Sequence, residues 1–379
     1  MKILLLGSTG SIGTSACRCI RRYPDRFELV GLAAHSNLEK LSEQVEEFHP
    51  PYVCISDVAT ASRAAERLTG VTLFKGAEGL VQIVRHADYD LLLNALVGGV
   101  GLAPTVAALK RRKKVALANK ESLVIGGTII GNLVSEGFGK LIPVDSEHSA
   151  LLQCRNGENR ESIESIILTA SGGPFKDLPA ERFAAITPED ALSHPTWNMG
   201  SKITIDSATL INKGFEIIEA HHLFDLPFEK IRVWIHPQSV IHSFIEYHDG
   251  AVMAQMGVPD MELPIQYALS YPERLPIQEK RMNLAKIGKL EFSNPDYQRF
   301  PCLQLAVDAG KAGGTMPTVL NAANEVAVQL FLEKRIKFTT IADIISQQLD
   351  QHENQKADFL ETILEVDQQT RNAVLKNNS

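Results

Sequence analysis

Short apolar runs recur along the first 144 residues of this chain, with amphipathic stretches between them. A run such as Leu91–Leu93 is continuous rather than alternating, which is typical of a strand covered on both faces in a parallel sheet. Because such runs alternate with helix-like segments, residues 1–144 predict a doubly wound α/β domain. The predicted strands are Ile3–Leu6, Phe27–Leu32, Tyr52–Ile55, Leu91–Leu93, Val115–Ala118 and Leu141–Val144.

The rest of the chain divides into three segments with different patterns. Residues 145–270 mix strand-like runs with loops containing Gly and Pro, which predicts an α+β domain with a mixed sheet. Residues 271–300 carry several prolines and little periodicity, which is typical of a linker. Residues 301–379 return to helical spacing and predict a helical bundle. The strands predicted in the second segment are Ile163–Thr169, Arg232–Ile235, Val240–Tyr247 and Ala251–Met256.

Composition excludes several classes of protein. A chain of 379 residues that is 44% hydrophobic can bury two or three cores. Its net charge of -7 argues against nucleic acid as a partner, since phosphate neutralisation needs a basic surface. The N-terminal apolar run ends after four residues, which favours a buried strand over a signal peptide, and no apolar run is long enough to span a membrane. Five cysteines without a Cys-x-x-Cys spacing favour a reducing cytoplasm.

A glycine-rich loop joins the first predicted strand to a helix that we expect to begin near Ile12. Residues Gly7–Gly13 have the sequence GSTGSIG, with G-x-x-G-x-x-G spacing rather than the commoner G-x-G-x-x-G. Free backbone N–H groups and the helix dipole at this position favour a pyrophosphate. The loop therefore predicts a Rossmann-like dinucleotide site, and the alternative is a tight strand–helix turn without a ligand.

The end of the second predicted strand indicates which dinucleotide binds. NAD enzymes usually place Asp or Glu there to bind the ribose 2′-hydroxyl. Here the sequence is His35-Ser36-Asn37, which has no carboxylate, although Glu39 lies close by. Neutral or cationic groups suit a 2′-phosphate, so NADP is favoured over NAD.

Two carboxylates follow the last predicted strand of the first domain. If the backbone stays extended, Asp145 and Glu147 face the same way, because they are two residues apart. Converging carboxylates need a shared proton, a lysine or a cation, and an all-oxygen ligand set suits Mg²⁺ or Mn²⁺. The alternative is a pair of solvated acids at a domain junction.

A third acid lies within a segment that also carries phosphate-binding groups. A helix here places Asn212, Glu216 and Glu219 near one face, with Lys213 one position away. Together with Ser207, these hydroxyl, amide and ammonium groups can bind a phosphate monoester. The alternative is a surface helix with no ligand.

Two more segments are candidates for function. Residues 118–122 end a strand and open a helix, which places Lys120 close to the cofactor crevice. Residues 194–200 combine Pro, Trp and Gly without apolar periodicity. Exposing Trp197 and Met199 is costly unless the loop closes on something, so we expect a lid, with core packing as the alternative.

Taken together, these motifs resemble, in order and approximate spacing, those of the 1-deoxy-D-xylulose 5-phosphate reductoisomerase family. The motifs are GSTGSIG (7–13), ANKES (118–122), PVDSEH (143–148), SGGPF (171–175), HPTWNMG (194–200), DSATLINKG (206–214), HPQSVIH (236–242) and NAANE (321–325). The resemblance implies NADPH-dependent conversion of 1-deoxy-D-xylulose 5-phosphate to 2-C-methyl-D-erythritol 4-phosphate, an early step of non-mevalonate isoprenoid synthesis. It also implies a homodimer. The route stays open between retro-aldol and aldol steps and a 1,2-shift.

The resemblance also implies a role for individual residues. Metal ligands would be Asp145, Glu147 and Glu216, which together with Lys120 form the catalytic set. Substrate contacts would be made by Lys120, Glu147 and Glu216 of this set and by Ser146, Ser171, His194, Ser207, Asn212 and Lys213. Cofactor contacts would be made by Thr9, Gly10, Ser11, Ile12, His35, Ser36, Asn37, Asn119, Glu121 and Gly200.

One departure from the family concerns the 2′-phosphate loop. Some members carry Gly-Lys-Asn where this chain has His35-Ser36-Asn37, so the strength of the NADP preference depends on these three residues.

Two alternative functions are another metal-assisted NADP-dependent dehydrogenase and a non-catalytic NADPH-binding regulator. The Ser/Asn/Lys cluster argues against the first, and the intact acids and Lys120 argue against the second.

Overall fold

A computed structural model describes residues 1–64, 67–193, 197, 199–277 and 281–378. The chain forms two compact units. The first comprises Met1–Ser122, Ile129–Asp145 and Met261–Pro276, and the second comprises Leu123–Thr128, Ser146–Asp260 and Ile277–Ser379. The division into four segments stays a prediction.

The first unit is built on a parallel sheet of seven strands, in the order β4-β3-β2-β1-β5-β6-β7. The six predicted strands are confirmed. The seventh, β4, was missed because it is a short edge strand whose residues are partly exposed, so it lacks an unbroken apolar run. The strands are β1 (Lys2–Leu6), β2 (Glu28–Ala34), β3 (Tyr52–Ile55), β4 (Thr72–Lys75), β5 (Leu91–Asn94), β6 (Lys114–Leu117) and β7 (Lys140–Pro143).

Strand β1 lies between β2 and β5, so the strand order reverses beside it. Residues Ile3–Leu6 are fully buried, as expected for a central strand covered on both faces. In open α/β sheets, ligands bind outside the carboxyl ends of the strands at such a reversal. The loops after β1 and β5, which flank the reversal, and the neighbouring loops after β2 and β6 therefore lie where a site can form.

The second unit contains a four-stranded mixed sheet in the order β11-β10-β8-β9. Strand β10 is antiparallel to both neighbours, whereas β8 and β9 are parallel. Ile167, Ile241 and Phe244 form a buried cluster on this sheet. All four predicted strands are confirmed as β8 (Ile163–Ala170), β9 (Ile231–Ile235), β10 (Ile241–Tyr247) and β11 (Val252–Met256).

Sixteen α-helices lie within the described residues. They are α1 (Ser11–Arg22), α2 (Leu38–Phe48), α3 (Val58–Ala64), α4 (Gly76–His86), α5 (Leu102–Lys110), α6 (Glu121–Ser135), α7 (Ser146–Cys154), α8 (Pro188–Ala191), α9 (Ser201–Ala208), α10 (Ile211–Phe224), α11 (Glu262–Ser270), α12 (Leu284–Ile287), α13 (Pro301–Ala312), α14 (Met316–Leu332), α15 (Thr340–Gln351) and α16 (Leu360–Asn377).

The C-terminal helices form the predicted bundle, with the buried helix α14 packed against α13, α15 and α16. The contacts of this bundle with the rest of the second unit include those of α13 with α10 and of α14 with α9. The predicted fold class is thus confirmed. None of the described helices combines the length and apolar character needed to cross a lipid bilayer.

Candidate active site

The glycine loop after β1 has no room for a side chain at Gly7 or at Gly13. Gly7 adopts a φ of +81°, in the left-handed region that favours glycine. A Cβ on Gly13 would lie 2.2 Å from the carbonyl oxygen of Gly7. Gly10 caps α1 without a side-chain hydrogen bond, and the first helical bond runs from Thr14 N to Gly10 O at 2.9 Å. The N–H groups of Ser11 and the two following residues therefore precede the helical ladder and can bind an anion.

The loop after β2 presents His35, Ser36 and Asn37 to solvent. The Oδ1 atom of Asn37 accepts a hydrogen bond from Lys40 N at 3.1 Å and caps α2. The Nδ1 atom of His35 lies 2.9 Å from Ser56 Oγ, in a hydrogen bond to the loop after β3. The side chains of His35 and Asn37 are therefore used in hydrogen bonds within the protein, and Ser36 is the residue of the three best placed to contact a ligand.

The loop after β6 is organised by Asn119, which is almost completely buried. Its Nδ2 atom donates to Leu96 O at 3.0 Å, Gly98 O at 2.9 Å and Glu121 Oε2 at 3.0 Å. The next residue, Lys120, is buried, and its Nζ lies 2.7 Å from Asp145 Oδ2. The structure thus brings Lys120 to Asp145, and it uses the amide of Asn119 within the protein.

In the second unit, two of the predicted metal ligands converge on one lysine. The Nζ of Lys213 lies 2.9 Å from Glu147 Oε1 and also contacts Glu216 Oε2. One carboxylate oxygen of Glu147 lies within 4.8 Å of one of Glu216. Burial alone would lower the pKa of Lys213, but the charges and hydrogen bonds of the two carboxylates outweigh it and raise that pKa above its ordinary value.

The expectation that Asp145 and Glu147 lie on one extended segment is wrong. Helix α7 begins at Ser146, so Glu147 lies in its first turn and Asp145 precedes it. Apolar periodicity did not mark this start because the first residues of α7 are polar. Covalent geometry still keeps the Cα atoms of Asp145 and Glu147 within about 7 Å of each other, whatever the backbone conformation.

The predicted phosphate-binding residues lie around the junction of α9 and α10. Asn212 and Lys213 occupy the first turn of α10, where the helix dipole favours an anion. The loop that follows β8 carries Ser171 and packs so closely on the end of α9 that a Cβ on Gly173 would lie 2.8 Å from Ser207 O. Ser171 and Ser207 are therefore brought together although 36 positions separate them in the sequence.

The predicted lid lies partly outside the described residues, and His194 is among those not described. The ring of Trp197 lies 6.3 Å from that of His242, measured between ring centroids. Met199 is partly buried, and Gly200 is exposed at the N-cap of α9.

Sequence reasoning missed a buried pair that supports the carboxylates. His148 Nε2 lies 2.9 Å from the carbonyl oxygen of Glu216, and its Nδ1 lies 3.3 Å from Glu219 Oε2. Both side chains are fully buried. The helical spacing of Glu219 from Glu216 was a signal, but its partner on α7 is distant in sequence. Ser146 also donates a hydrogen bond from Oγ to Glu147 Oε2.

A parallel sheet has a glycine loop beside its strand-order reversal, and the same chain carries buried carboxylates and the predicted phosphate-binding residues. These features together define the class of dinucleotide-dependent enzymes. Three family models refine this class. The model described as 1-deoxy-D-xylulose 5-phosphate reductoisomerase matches residues 3–127, the C-terminal domain model of that name matches residues 141–224, and the DXP reductoisomerase C-terminal domain matches residues 256–373. The chain belongs to the 1-deoxy-D-xylulose 5-phosphate reductoisomerase family.

Relatives of the same family are similar to this chain over almost its whole length. The reductoisomerase of Chloroherpeton thalassium is 50% identical over 98% of this chain and 97% of its own, and that of Geotalea uraniireducens is 51% identical over 97% and 95%. A solved structure of the family in complex with NADPH, fosmidomycin and magnesium has a TM-score of 0.95 at 38% identity, covering 100% of this chain and 98% of that one. The Zymomonas mobilis enzyme in complex with NADPH has a TM-score of 0.92 at 41% identity, covering 100% and 99%. The predicted family is confirmed.

Proposed function

We propose that this protein converts 1-deoxy-D-xylulose 5-phosphate to 2-C-methyl-D-erythritol 4-phosphate, with NADPH as reductant and Mg²⁺ or Mn²⁺ as cofactor. The observation that carries the proposal is about 50% identity, over nearly the whole chain, to relatives that bear the reductoisomerase name. This places the protein in non-mevalonate isoprenoid synthesis.

The first unit fits NADPH. The glycine loop supplies anion-binding N–H groups from the start of α1 and excludes side chains at Gly7 and Gly13, so the backbone can approach a pyrophosphate closely. Contacts from Thr9–Ile12, Asn119, Glu121 and Gly200 are part of the proposal. His35, Ser36 and Asn37 would face the 2′-phosphate, since none of them carries a negative charge.

The carboxylates fit a divalent metal. Glu147 and Glu216 are at most slightly exposed, offer only oxygen ligands and share one lysine, and Asp145 is joined to Glu147 through a single residue. Such hard ligands suit Mg²⁺ or Mn²⁺. When bound by Asp145, Glu147 and Glu216, this ion would supply a Lewis acid for the ketone and hydroxyl oxygens of the substrate.

The remaining groups would hold the substrate. Ser171, Ser207, Asn212 and Lys213 bind the phosphate, because hydroxyl, amide and ammonium donors at the start of a helix suit a dianion. Lys120 adds positive charge beside developing alkoxide charge, and Ser146 and His194 complete the contacts with the sugar. Trp197 and Met199 then close over the substrate and exclude water.

We further propose a cytoplasmic homodimer. Strand β11 is an edge strand, and Val252 and Met253 on it are 54% and 43% exposed. An exposed apolar edge favours pairing with another chain. All five cysteines lie within the described residues, are buried and form no disulfide bond there, as suits a reducing compartment.

The test is an assay of NADPH oxidation by loss of absorbance with 1-deoxy-D-xylulose 5-phosphate, with and without added Mn²⁺ or Mg²⁺. We expect turnover that needs both substrate and metal and that is much slower with NADH. Metal-independent oxidation, or no oxidation with this substrate, would contradict the proposal.

A further inference from the structure

A buried carboxylate lies directly beside the predicted phosphate-binding serine, and the proposed mechanism does not use it. Asp206 precedes Ser207 on α9 and is 1% exposed. Its Oδ2 lies 2.8 Å from Lys202 Nζ, one turn earlier on the same helix. Its Oδ1 accepts a hydrogen bond of 2.8 Å from Nδ2 of Asn324, a fully buried residue of α14.

Two further hydrogen bonds link Asp206 to the start of α10, next to Asn212. The hydroxyl of Thr209 donates to the carbonyl oxygen of Asp206 at 3.2 Å, and Ile211 N, at the start of α10, donates to Thr209 Oγ1 at 3.4 Å. Between the helices, Leu210 adopts a φ of +61°, which costs a residue other than glycine conformational energy. The junction therefore needs support from its surroundings.

Part of that support comes from the C-terminal bundle and from the loop after β8. A Cβ on Gly214, in α10, would lie 2.3 Å from Ala306 of α13, so α10 is seated directly on the bundle. The loop that carries Ser171 rests on Ser207 O. Asn324 is the bundle residue whose side chain hydrogen bonds to the end of α9, and a shift of this end would move Ser207 and the first turn of α10 together.

We propose that Asp206 and Asn324 are positioning residues for the substrate phosphate. Their hydrogen bond holds the α9–α10 junction in the geometry in which Ser207, Asn212 and Lys213 can bind one phosphate group. Neither residue touches the substrate. The inference rests on the proposed function, which supplies the phosphorylated substrate, and it assigns to the NAANE motif a role in substrate affinity.

The chain offers a matched control for the test. Asn321 lies one turn before Asn324 on α14 and is equally buried, but its Nδ2 donates to Glu325 Oε1 of the same helix at 2.9 Å. Asn324→Ala and Asn321→Ala therefore remove the same atoms from the same helix. Only the first removes a bond to α9.

The measurements are KM and kcat for 1-deoxy-D-xylulose 5-phosphate, KM for NADPH, and the calorimetric Kd of the substrate with Mg²⁺ and without NADPH. We expect Asn324→Ala to raise KM and Kd for the substrate about tenfold, the size of a lost hydrogen bond to a charged group, with kcat and KM for NADPH little changed. Asn321→Ala should leave all four values near those of the wild type. Equal substrate KM in the two variants, with an active wild type, would overturn the positioning role alone.

A wild type that binds but does not turn over the substrate would overturn the proposed function, whereas a selective loss of binding in Asn324→Ala would still support the positioning role. If Asn324→Ala does not fold, the exchange Asp206→Asn with Asn324→Asp replaces it. This double variant restores an amide–carboxylate hydrogen bond with the partners reversed. It should recover substrate affinity relative to Asp206→Asn, and no recovery would contradict the proposal.

Discussion

The glycine loop of the first unit and helix α10 of the second are both proposed to bind anionic ligands, but they are built by opposite means. The loop works through backbone N–H groups and depends on side chains being absent, since a Cβ on Gly13 would collide with Gly7 O. Helix α10 works through charged side chains, with Lys213 held between Glu147 and Glu216. A site made of backbone is local in sequence, whereas a site made of side chains depends on which distant elements pack together. The two sites should therefore fail independently when altered.

The largest effect is expected from Glu216→Gln. Removing this charge takes away a proposed metal ligand and one partner of Lys213, so kcat should fall by about two to three orders of magnitude. Binding of NADPH, measured by calorimetry, should be nearly unchanged because the glycine loop is untouched. Glu262→Gln is the control, since Glu262 is a buried glutamate paired with Arg22 in the first unit. Near-normal activity of Glu216→Gln in the presence of Mg²⁺ would contradict the assignment of Glu216 as a metal ligand.

Gly13→Ala should produce the reverse pattern. The added methyl group meets backbone atoms of Gly7 and Ser8 at 2.2–2.6 Å, so the loop must deform. We expect the Kd of NADPH to rise about 10- to 100-fold, as for overpacking of a tight site, with substrate binding in Mg²⁺ unchanged. Gly131→Ala is the control, because its Cβ would meet nothing within 4 Å. Equal NADPH affinity in the two variants would contradict the proposal that the backbone of the glycine loop binds NADPH.

The stability of the protein should depend on pH through His222, a histidine of α10. Near its C-terminal end, burial lowers the pKa of His222 to about 4, and the ring lies against Gly127 with no space for a Cβ between them. The unfolded chain, with a pKa near 6.5, takes up the proton first as pH falls. Stability from this residue is therefore complete above pH 6.5 and is lost towards pH 4.

Denaturant unfolding at pH 7.5 and pH 5 tests this contribution. The free energy of unfolding should fall by about 2 kcal/mol more in the wild type than in His222→Asn. His248→Asn, which replaces an exposed histidine, should keep the wild-type dependence. The same pH dependence in both variants would show that His222 is not the titrating group.

The smallest effect concerns the loop after β2. Ser36→Asp places a carboxylate where the 2′-phosphate is proposed to bind, and the repulsion should lower the ratio of kcat/KM for NADPH to that for NADH about tenfold. Ser62→Asp adds the same charge at an exposed position of α3 and should leave the ratio unchanged. An unchanged ratio in Ser36→Asp would place the 2′-phosphate elsewhere.

Elements set by local patterns could be predicted from the sequence. Ten of the eleven strands follow from apolar runs, and α1 begins at Ser11, one residue from the expected start. Strand β4 could not be found because its exposed edge position removes the apolar signal. The start of α7 at Ser146 was missed for a similar reason, since a polar helical turn resembles a loop in sequence.

Pairings between distant elements could not be predicted. Lys213 was expected to contact a phosphate. The structure adds that its ammonium group also donates a hydrogen bond to Glu147, which lies 66 positions earlier in the chain. The contact of His148 with Glu219 and that of Asp206 with Asn324 likewise join helices that are remote in the chain. Helical spacing places residues on a face but does not identify what packs on that face.

The sequence by itself determined the doubly wound sheet, the glycine loop and the set of acids, amides and lysines available for chemistry. These depend on strand burial, on the absence of side chains at glycine and on residue identity, all of which are local properties. Only the tertiary structure decided that Lys120 meets Asp145, that Lys213 joins Glu147 to Glu216, and that Asn324 donates a hydrogen bond to Asp206 beside Ser207. These contacts depend on long-range packing, which brings together residues that no local pattern connects.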